Sequence, residues 1–391
     1  MAQGKSTTGF SIDEKSLKEF LDTKVKEAVK EVIEAVLEAE AEELAQARPY
    51  ERTTDRKDRR NGKRKRQLTT RVGKIELEVP RLRMIPFQSQ IIDRYRRMES
   101  SLEEALIEMY LQGVSTRRVT DITEQLCDAS ISGSSMSRLN NKVYDKIDAW
   151  RSRQLEDNYD YLYVDGMSLK ARVGDHVETL WLLVVVGVNQ LGYREVLGVE
   201  AGVVEDEMSW LRLFRQLRRR GVKNLRLVVS DAHEGIRRAL RQAYPKAQWQ
   251  RCYFHFMRNV LTKVPRRHQH KVAAAMRAVY AQEDVEEAVK KADRFVQRFE
   301  KNFPDAVRIF VNGLMDTLTY YEFPETHWRS IRTNNPLERL LREVRRRLRV
   351  ASVFPNAQSA LVLASARLKW VQDTKWAEKP YLNMKALKEA A

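Results

Sequence analysis

The sequence predicts a multidomain chain: α-helical N-terminal modules rich in basic residues, then an α/β domain interrupted by an all-α insertion. Three observations predict it. At 391 residues the chain exceeds what one ordinary core fills. Its apolar residues recur at three- and four-residue steps as far as Trp150, then switch to short continuous runs from Tyr161. Helical spacing returns between Pro265 and Trp328 and gives way again to a capped helix starting at Asn335.

Bulk composition narrows the partners. The chain is 43% hydrophobic and 32% charged, and carries a net charge of +17. Such an excess suits a polyanion, because each phosphate neutralised releases condensed counterions. Ribosomal, membrane-surface and nucleic-acid proteins share that bias, so charge names the partner class and no chemistry. The longest apolar run, Leu180 to Val188, is about half of what a bilayer crossing needs. Met1 to Phe10 is polar, without a signal core, and the only cysteines, Cys127 and Cys252, offer no disulfide framework. These features predict a cytoplasmic protein with no membrane partner.

Residues 1–48 read as one long helix over Ser16 to Ala47, ended by Pro49. Leu17, Leu21, Val25, Ala28, Val32, Ile33, Val36 and Leu37 form its apolar stripe, which suits dimerisation or packing. Residues 49–98 form a basic module. Arg52 to Arg66 holds nine Lys/Arg (Arg52, Arg56, Lys57, Arg59, Arg60, Lys63, Arg64, Lys65 and Arg66) around an Asn61-Gly62 turn signal, and Val72 to Pro80 alternates like a short strand. This is expected to grip DNA phosphates, the alternative being a solvated linker. Residues 99–153 give helix, turn, helix, turn, helix, with Ser115 as a cap and Arg138 and Lys142 outward on the last helix. That order is similar to a helix-turn-helix, although a plain three-helix bundle has the same pattern.

From residue 154 to residue 264 the order is strand, strand, strand, helix, strand, helix, strand. Tyr161 to Val164 ends at Asp165. Thr179 to Val188 and Tyr193 to Ala201 pair across Asn189-Gln190-Leu191-Gly192, and Leu225 to Val229 ends at Ser230-Asp231. Three antiparallel strands followed by alternating helix and strand is the order of an RNase H-like fold. Residues 265–328 form the helical insertion. Residues 329–391 resume the domain with helices from Asn335 to Arg349 and near Ala357 to Val371.

The two aspartates therefore fall at strand ends, where side chains are fixed yet exposed. Carboxylates there are hard oxygen donors suited to Mg²⁺. The alternative for each is a capping role. In Asn334-Asn335-Pro336-Leu337-Glu338, Glu338 heads a helix whose inward stripe is Leu337, Leu341, Val344 and Leu348. Glu338, Arg342, Arg345 and Arg349 share the adjacent stripe, as a metal site beside a phosphate backbone requires; a helix-dipole role for Glu338 is the alternative, and Glu343 is the rival acid. Two Mg²⁺ (or Mn²⁺) ions on three carboxylates could activate the attacking oxygen and stabilise the leaving oxygen of a phosphodiester displacement. Trp328, just before the acidic helix, could stack on a base. Gly4-Lys5-Ser6-Thr7 lacks the rest of a phosphate-binding loop, and His233-Glu234 lacks the second histidine of a zinc protease motif.

Four blocks occur in order: Tyr163-Val164-Asp165-Gly166; Val228-Val229-Ser230-Asp231-Ala232-His233-Glu234-Gly235; Gln250-Arg251-Cys252-Tyr253-Phe254-His255; and Thr333-Asn334-Asn335-Pro336-Leu337-Glu338-Arg339. Together, from about residue 50 to residue 370, the chain resembles the Mutator-type bacterial insertion-sequence transposases. The resemblance implies a DDE site of Asp165, Asp231 and Glu338 on an RNase H-like fold, with a helical insertion before the glutamate. It implies metal-dependent cleavage of double-stranded DNA at element ends and 3′-hydroxyl transfer to a target, by copy-out and paste-in through a circle. A homodimer or higher oligomer on DNA, without a nucleotide cofactor, goes with that activity. Cys252-x-x-His255 belongs to the same signature. His255 is expected as an auxiliary group near the carboxylates, with a zinc site completed by His268 and His270 as the alternative.

Overall fold

The computed structural model describes residues 14–89, 100–111, 116–127, 133–202, 204–349, 353–376 and 378–389. The chain divides into two compact units, residues 1–110 with 114–142, and residues 111–113 with 143–391.

In the first unit, helix α1 (Glu14–Ala45) packs on a hairpin of β1 (Arg60–Thr70) and β2 (Gly73–Leu82). β2 alternates strictly, and Ile75, Leu77 and Val79 meet Leu68 of β1 and Leu37 of α1. The apolar stripe of α1 thus finds a partner inside its own chain at its C-terminal end, whereas Leu17, Leu21 and Val25 stay exposed. The second part of the basic stretch, from Arg60 onward, is itself a strand. Asn61-Gly62 marks a register shift near the start of β1, Gly62 having a φ of +73°, and the chain reverses at Arg71-Val72. Periodicity missed this strand because its buried positions are confined to Leu68 and Thr70. Buried Asp58 ties the hairpin's ends together, accepting the N–H groups of Arg59, Met84 and Ile85. Burial opposes its charge, but these bonds prevail and hold its carboxyl below the ordinary range.

Helices α2 (Ser100–Leu111), α3 (Thr116–Cys127) and α4 (Gly133–Ser152) follow. Leu102, Leu106, Ile107, Val119 and Leu139 are buried. The expected turns, including Ser115, lie outside the described residues.

The second unit is built on a five-stranded sheet in the order β5-β4-β3-β6-β7, with β3 (Tyr159–Val173), β4 (His176–Asn189), β5 (Arg194–Gly202), β6 (Leu227–Ser230) and β7 (Gln248–Arg251). β3, β4 and β5 pair antiparallel; β6 and β7 continue parallel to β3. Both faces of the sheet are covered. Leu162 and Val164 point into a core with α5 (Glu207–Arg219) and α6 (Glu234–Ala243). Tyr161, Tyr163 and Met167 point into the opposite core. There lie α7 (Tyr253–Leu261), the helices α8 (Arg266–Val279), α9 (Val285–Phe299), α10 (Pro304–Gly313) and α11 (Glu325–Ile331), then α12 (Asn335–Leu348) and α13 (Ala357–Val371). α8 to α11 lie within the stretch expected to be a helical insertion, apart from the last turn of α11.

Asp165 departs from the sequence expectation in an instructive way. It does not end its strand. β3 runs on to Val173, with Asp165 opposite Val184, and turns at Gly174 into β4. Pairing with β4 keeps Asp165 to Val173 extended.

Candidate active site

Asp165 stands where β3 outruns its parallel neighbour. The pairing with β6 stops at Tyr163 opposite Val229, so the flank beside Asp165 is open while its backbone stays pinned by β4. Alternation along β3 turns Asp165 to the face that carries Tyr163 and Met167, the face covered by α12. Asp231 follows β6 directly and accepts the N–H of Ala232 at 2.8 Å. Glu338 sits in the first turn of α12, whose Leu337, Leu340, Leu341, Val344 and Leu348 are buried.

A chain of polar contacts fixes the start of α12 against the sheet. Asn334 Nδ2 donates to the Val164 carbonyl at 3.0 Å, and Asn334 N donates to Cys252 Sγ at 3.2 Å. Cys252 N in turn donates to the Ser230 carbonyl at 2.7 Å. Cys252 is fully buried, and burial pushes its thiol up to about 11. It is therefore more than a small hydrophobe: it accepts a bond that links β6, α7 and α12. Sequence reasoning gave neither this role nor that of Asn334, which it treated as a cap; Asn334 makes no side-chain cap bond.

His255, on α7, lies between two of the acids. Its Nδ1 is 3.7 Å from Asp231 Oδ2 and its Nε2 is 3.4 Å from Glu338 Oε1. The structure thus brings Glu338 to His255, while Glu343 is engaged elsewhere, 2.6 Å from Arg367 and 3.0 Å from Arg346. Its bonds to Arg346 and Arg367 hold the Glu343 carboxyl down at about 2.

Burial pushes the Asp165 carboxyl up to about 7, and the charges of Glu338, Asp231 and Glu205 add to the shift, against one opposing bond from Gly166 N–H. Glu205, between β5 and α5, was missed in the sequence because no motif or periodicity marks that connection. Among the described residues, no lysine or arginine is ion-paired with Asp165, Glu205, Asp231 or Glu338. Glu338 Oε1 and His255 Nδ1 are buried without a hydrogen-bond donor or acceptor. Crowded carboxylates with an orphaned oxygen are the arrangement that a divalent cation satisfies, so the residues fit such an ion. Cys252, His255 and Glu338 also have ligand atoms within 4.8 Å of one another. His268 and His270 are not in that group, which removes the completed zinc site expected as the alternative; His268 packs against Phe303.

The expected DNA contacts divide. Arg342, Arg345 and Arg349 are exposed on α12, and Arg345 and Arg349 line a groove of about 310 Å³ with Lys170 of β3. Lys170 was not singled out in the sequence, where no motif marks it. On the hairpin, Arg56, Arg59, Arg60 and Lys63 line a cavity of about 660 Å³ with Tyr50. Arg60 pairs with Glu38, Lys63 with Glu78 and Lys65 with Glu76, whereas Arg52 and Arg59 are exposed and carry no ion pair among the described residues. Arg64 and Arg66 are half-buried on β1. Lys142, whose side chain is 44% exposed, pairs with the buried carboxylate of Glu103 at 2.6 Å. Arg138 lies within α4, but its side chain is outside the described residues. Trp328 packs edge-on against Tyr320 and Tyr321 and donates to the Phe323 carbonyl, which commits its ring to the core.

A crowded acid cluster beside exposed arginines, in a chain of net charge +17, defines a protein that handles nucleic acid. The comparison with known families makes this specific: the profile described as "Transposase, Mutator family" matches residues 2–378. The chain belongs to the Mutator family of transposases and is an enzyme of DNA transposition. It is 37% identical over 337 residues to the transposase for insertion sequence element ISRM5 of Rhizobium meliloti, covering 86% of this chain and 85% of that one. It is 36% identical to the transposase for IS406 of Burkholderia multivorans, over 85% of this chain and 86% of that protein. The transposase for IS256 in transposon Tn4001 of Staphylococcus aureus is 34% identical, with 85% and 86% covered. No helix among the described residues is long and apolar enough to cross a membrane.

Proposed function

We propose that this chain cuts and joins DNA at the ends of an insertion sequence, as a DDE-type transposase with Asp165, Asp231 and Glu338 as its carboxylate triad. One observation carries the reading: acids from three separate parts of the sequence converge, Asp231 and Glu338 on His255, and Asp165 within reach of both charges. Two further facts support it. The sheet order, with three antiparallel strands and two parallel ones beside the first, agrees with the RNase H-like reading. The relatives are named for insertion sequences.

Asp165, Asp231 and Glu338 would hold two divalent cations, Mg²⁺ or Mn²⁺, which when bound supply Lewis-acid activation of the attacking oxygen and charge neutralisation at the leaving oxygen. The chain's own residues do the rest. β4 and the Asn334–Val164 bond fix the separation of the carboxylates, so little reorganisation accompanies reaction. His255 orients Asp231 and Glu338 from between them. Lys170, Arg345 and Arg349 seat the phosphate backbone, and Arg52, Arg59 and Arg64 of the hairpin grip the element's terminal repeat. In the first step water attacks phosphorus and a 3′-hydroxyl leaves. In the second, that hydroxyl loses its proton and attacks a phosphodiester in line, a new P–O bond joins the strands, and the 3′-oxygen of the attacked strand leaves and is protonated. Copy-out and paste-in through a circle, by a homodimer or larger assembly, is the pathway we propose on the family resemblance.

The test is cleavage and joining of a labelled linear DNA carrying the element's end, in Mg²⁺. Asp165→Asn, Asp231→Asn and Glu338→Gln should each bind this DNA and do no chemistry. A wild-type protein that binds the end and never cuts it in Mg²⁺ or Mn²⁺ contradicts the proposal, leaving a DNA-binding regulator.

A further inference from the structure

A duplex backbone lies on a basic surface and needs no concavity, yet the hairpin has one. Its volume, about 660 Å³, is within the roughly 300–1,000 Å³ of small-ligand sites. Four cations, Arg56, Arg59, Arg60 and Lys63, meet one acid, Glu38, on its wall. Two of the guanidinium groups are each anchored by one nitrogen. Arg60 Nη2 is 2.9 Å from Glu38 Oε1, and Arg56 Nη2 donates to the Arg48 carbonyl at 2.9 Å. Arg60 Nε and Nη1 and Arg56 Nε are buried and have no acceptor among the described residues. Buried donors without acceptors are costly, and an anion with several oxygens satisfies them.

Tyr50 lines the same cavity, and its backbone is strained. Arg48-Pro49-Tyr50-Glu51 is a turn closed by the Glu51 N–H on the Arg48 carbonyl at 3.2 Å, and Tyr50 has a φ of +61°. That position of a turn favours glycine or asparagine. Packing inside the chain does not offset the strain, because Tyr50 is 99% exposed. Strain that presents an aromatic ring to solvent beside unsatisfied guanidinium groups suits a ligand clamp.

We propose that this cavity binds one nucleotide of an unpaired DNA strand, with its phosphate on Arg56, Arg59 and Arg60 and its base stacked on Tyr50. The chemistry recognised is a phosphate joined to an exposed π-face, which a duplex hides in its stack and a free nucleotide shares. A strand is favoured over a free nucleotide because the basic surface continues. A second cavity, of about 190 Å³, shares Pro80 with the first and carries Arg64, Arg81 and Phe87. Cations interleaved with aromatic rings suit the neighbouring nucleotides of the same strand. This inference rests on the reading that the hairpin meets DNA, and it is independent of the triad.

The experiment is fluorescence anisotropy on the full-length protein with two labelled probes, an oligothymidylate of about ten nucleotides and a duplex carrying the element's end. Tyr50→Asn should weaken the oligomer about tenfold and leave the duplex within about twofold, whereas Tyr50→Phe should bind both as wild type does. The unfolding temperature of Tyr50→Asn should match or exceed that of wild type, because asparagine tolerates the positive φ; a merely structural Tyr50 would lower it. Arg56→Gln should make the slope of log affinity against log salt shallower by about 0.7 for the oligomer. Arg52→Ala, outside the cavity, should weaken the duplex. If it does so while Tyr50→Asn binds the oligomer as wild type does, the nucleotide site falls and the duplex grip stands. If Tyr50→Asn alone has its effect, the site stands and the grip falls. A wild type that binds the duplex and not the oligomer overturns the proposal. Thymidine monophosphate that displaces the labelled oligomer as well as unlabelled oligomer does, at equal nucleotide concentration, overturns the strand as the ligand in favour of a free nucleotide.

Discussion

The hairpin and the acid cluster manage charge in opposite ways. On β1 and β2 the bases face acids: Lys63 pairs with Glu78 and Lys65 with Glu76, both out in solvent, and Arg60 reaches Glu38 of α1. Such pairs are screened and change little when one partner goes. Beside β3 the acids face one another, with only a histidine between two of them. Where water can solvate a charge, pairing is incidental. Where burial excludes water, unpaired like charge is costly and persists only if something outside the chain neutralises it. The contrast separates a surface that meets a polyanion from a site that needs cations.

The sharpest way to break this contrast is to remove the acids one at a time. Asp165→Asn, Asp231→Asn and Glu338→Gln should each lower strand cleavage by about 10³-fold or more in the labelled-end assay, with DNA binding intact. Asn334→Ala removes the bond to Val164 and frees the start of α12. It should cost about 10²-fold in cleavage while leaving all triad carboxylates present, so loss of positioning is read apart from loss of ligands.

On the hairpin side the effect is smaller and depends on salt. Replacing both Arg52 and Arg59 by alanine should weaken binding to the element's end by roughly tenfold, measured by fluorescence anisotropy across a salt series. The slope of log affinity against log salt should become shallower by about 2. An unchanged slope moves the phosphate contacts elsewhere.

Asp165 gives a pH signature. Its folded-state value, about 7, lies above its ordinary 3.8, so the folded protein binds the extra proton between those limits. The penalty for its charge is absent below about pH 4 and complete above about pH 7, so metal-free stability should fall as pH rises through that window. Asp165→Asn should flatten the fall, and Mn²⁺ should counter it in wild type. The smallest effect is expected from Lys65→Ala, which removes an exposed pair and should leave the unfolding temperature where it is.

Much of the second unit was legible because its signals are local. The caps and apolar runs around β4, β5, α12 and α13 set their limits within a few residues, as with Asn356, whose side chain accepts the N–H of Ser359 at the start of α13. The proposal of Asp165, Asp231 and Glu338 as a triad came from their motifs. What escaped depended on neighbours distant in sequence. β3 continues past Asp165 only because β4 pairs with it, and β1 is a strand only because β2 and α1 cover one face. The pairing of Lys142 with a buried Glu103, reached from another helix, could not be read from helical phase. Glu205 had no signal of its own. The nearest hint was Gly166, whose missing side chain leaves room for it.

The most direct test of the central claim is a crystal structure of the full chain soaked in Mn²⁺, with anomalous scattering used to locate the ions. The account predicts anomalous peaks within coordination distance of Asp165, bounded by Asp231 and Glu338. Peaks confined to other carboxylates of the chain, or to Cys252 and His255 without Asp165, contradict it.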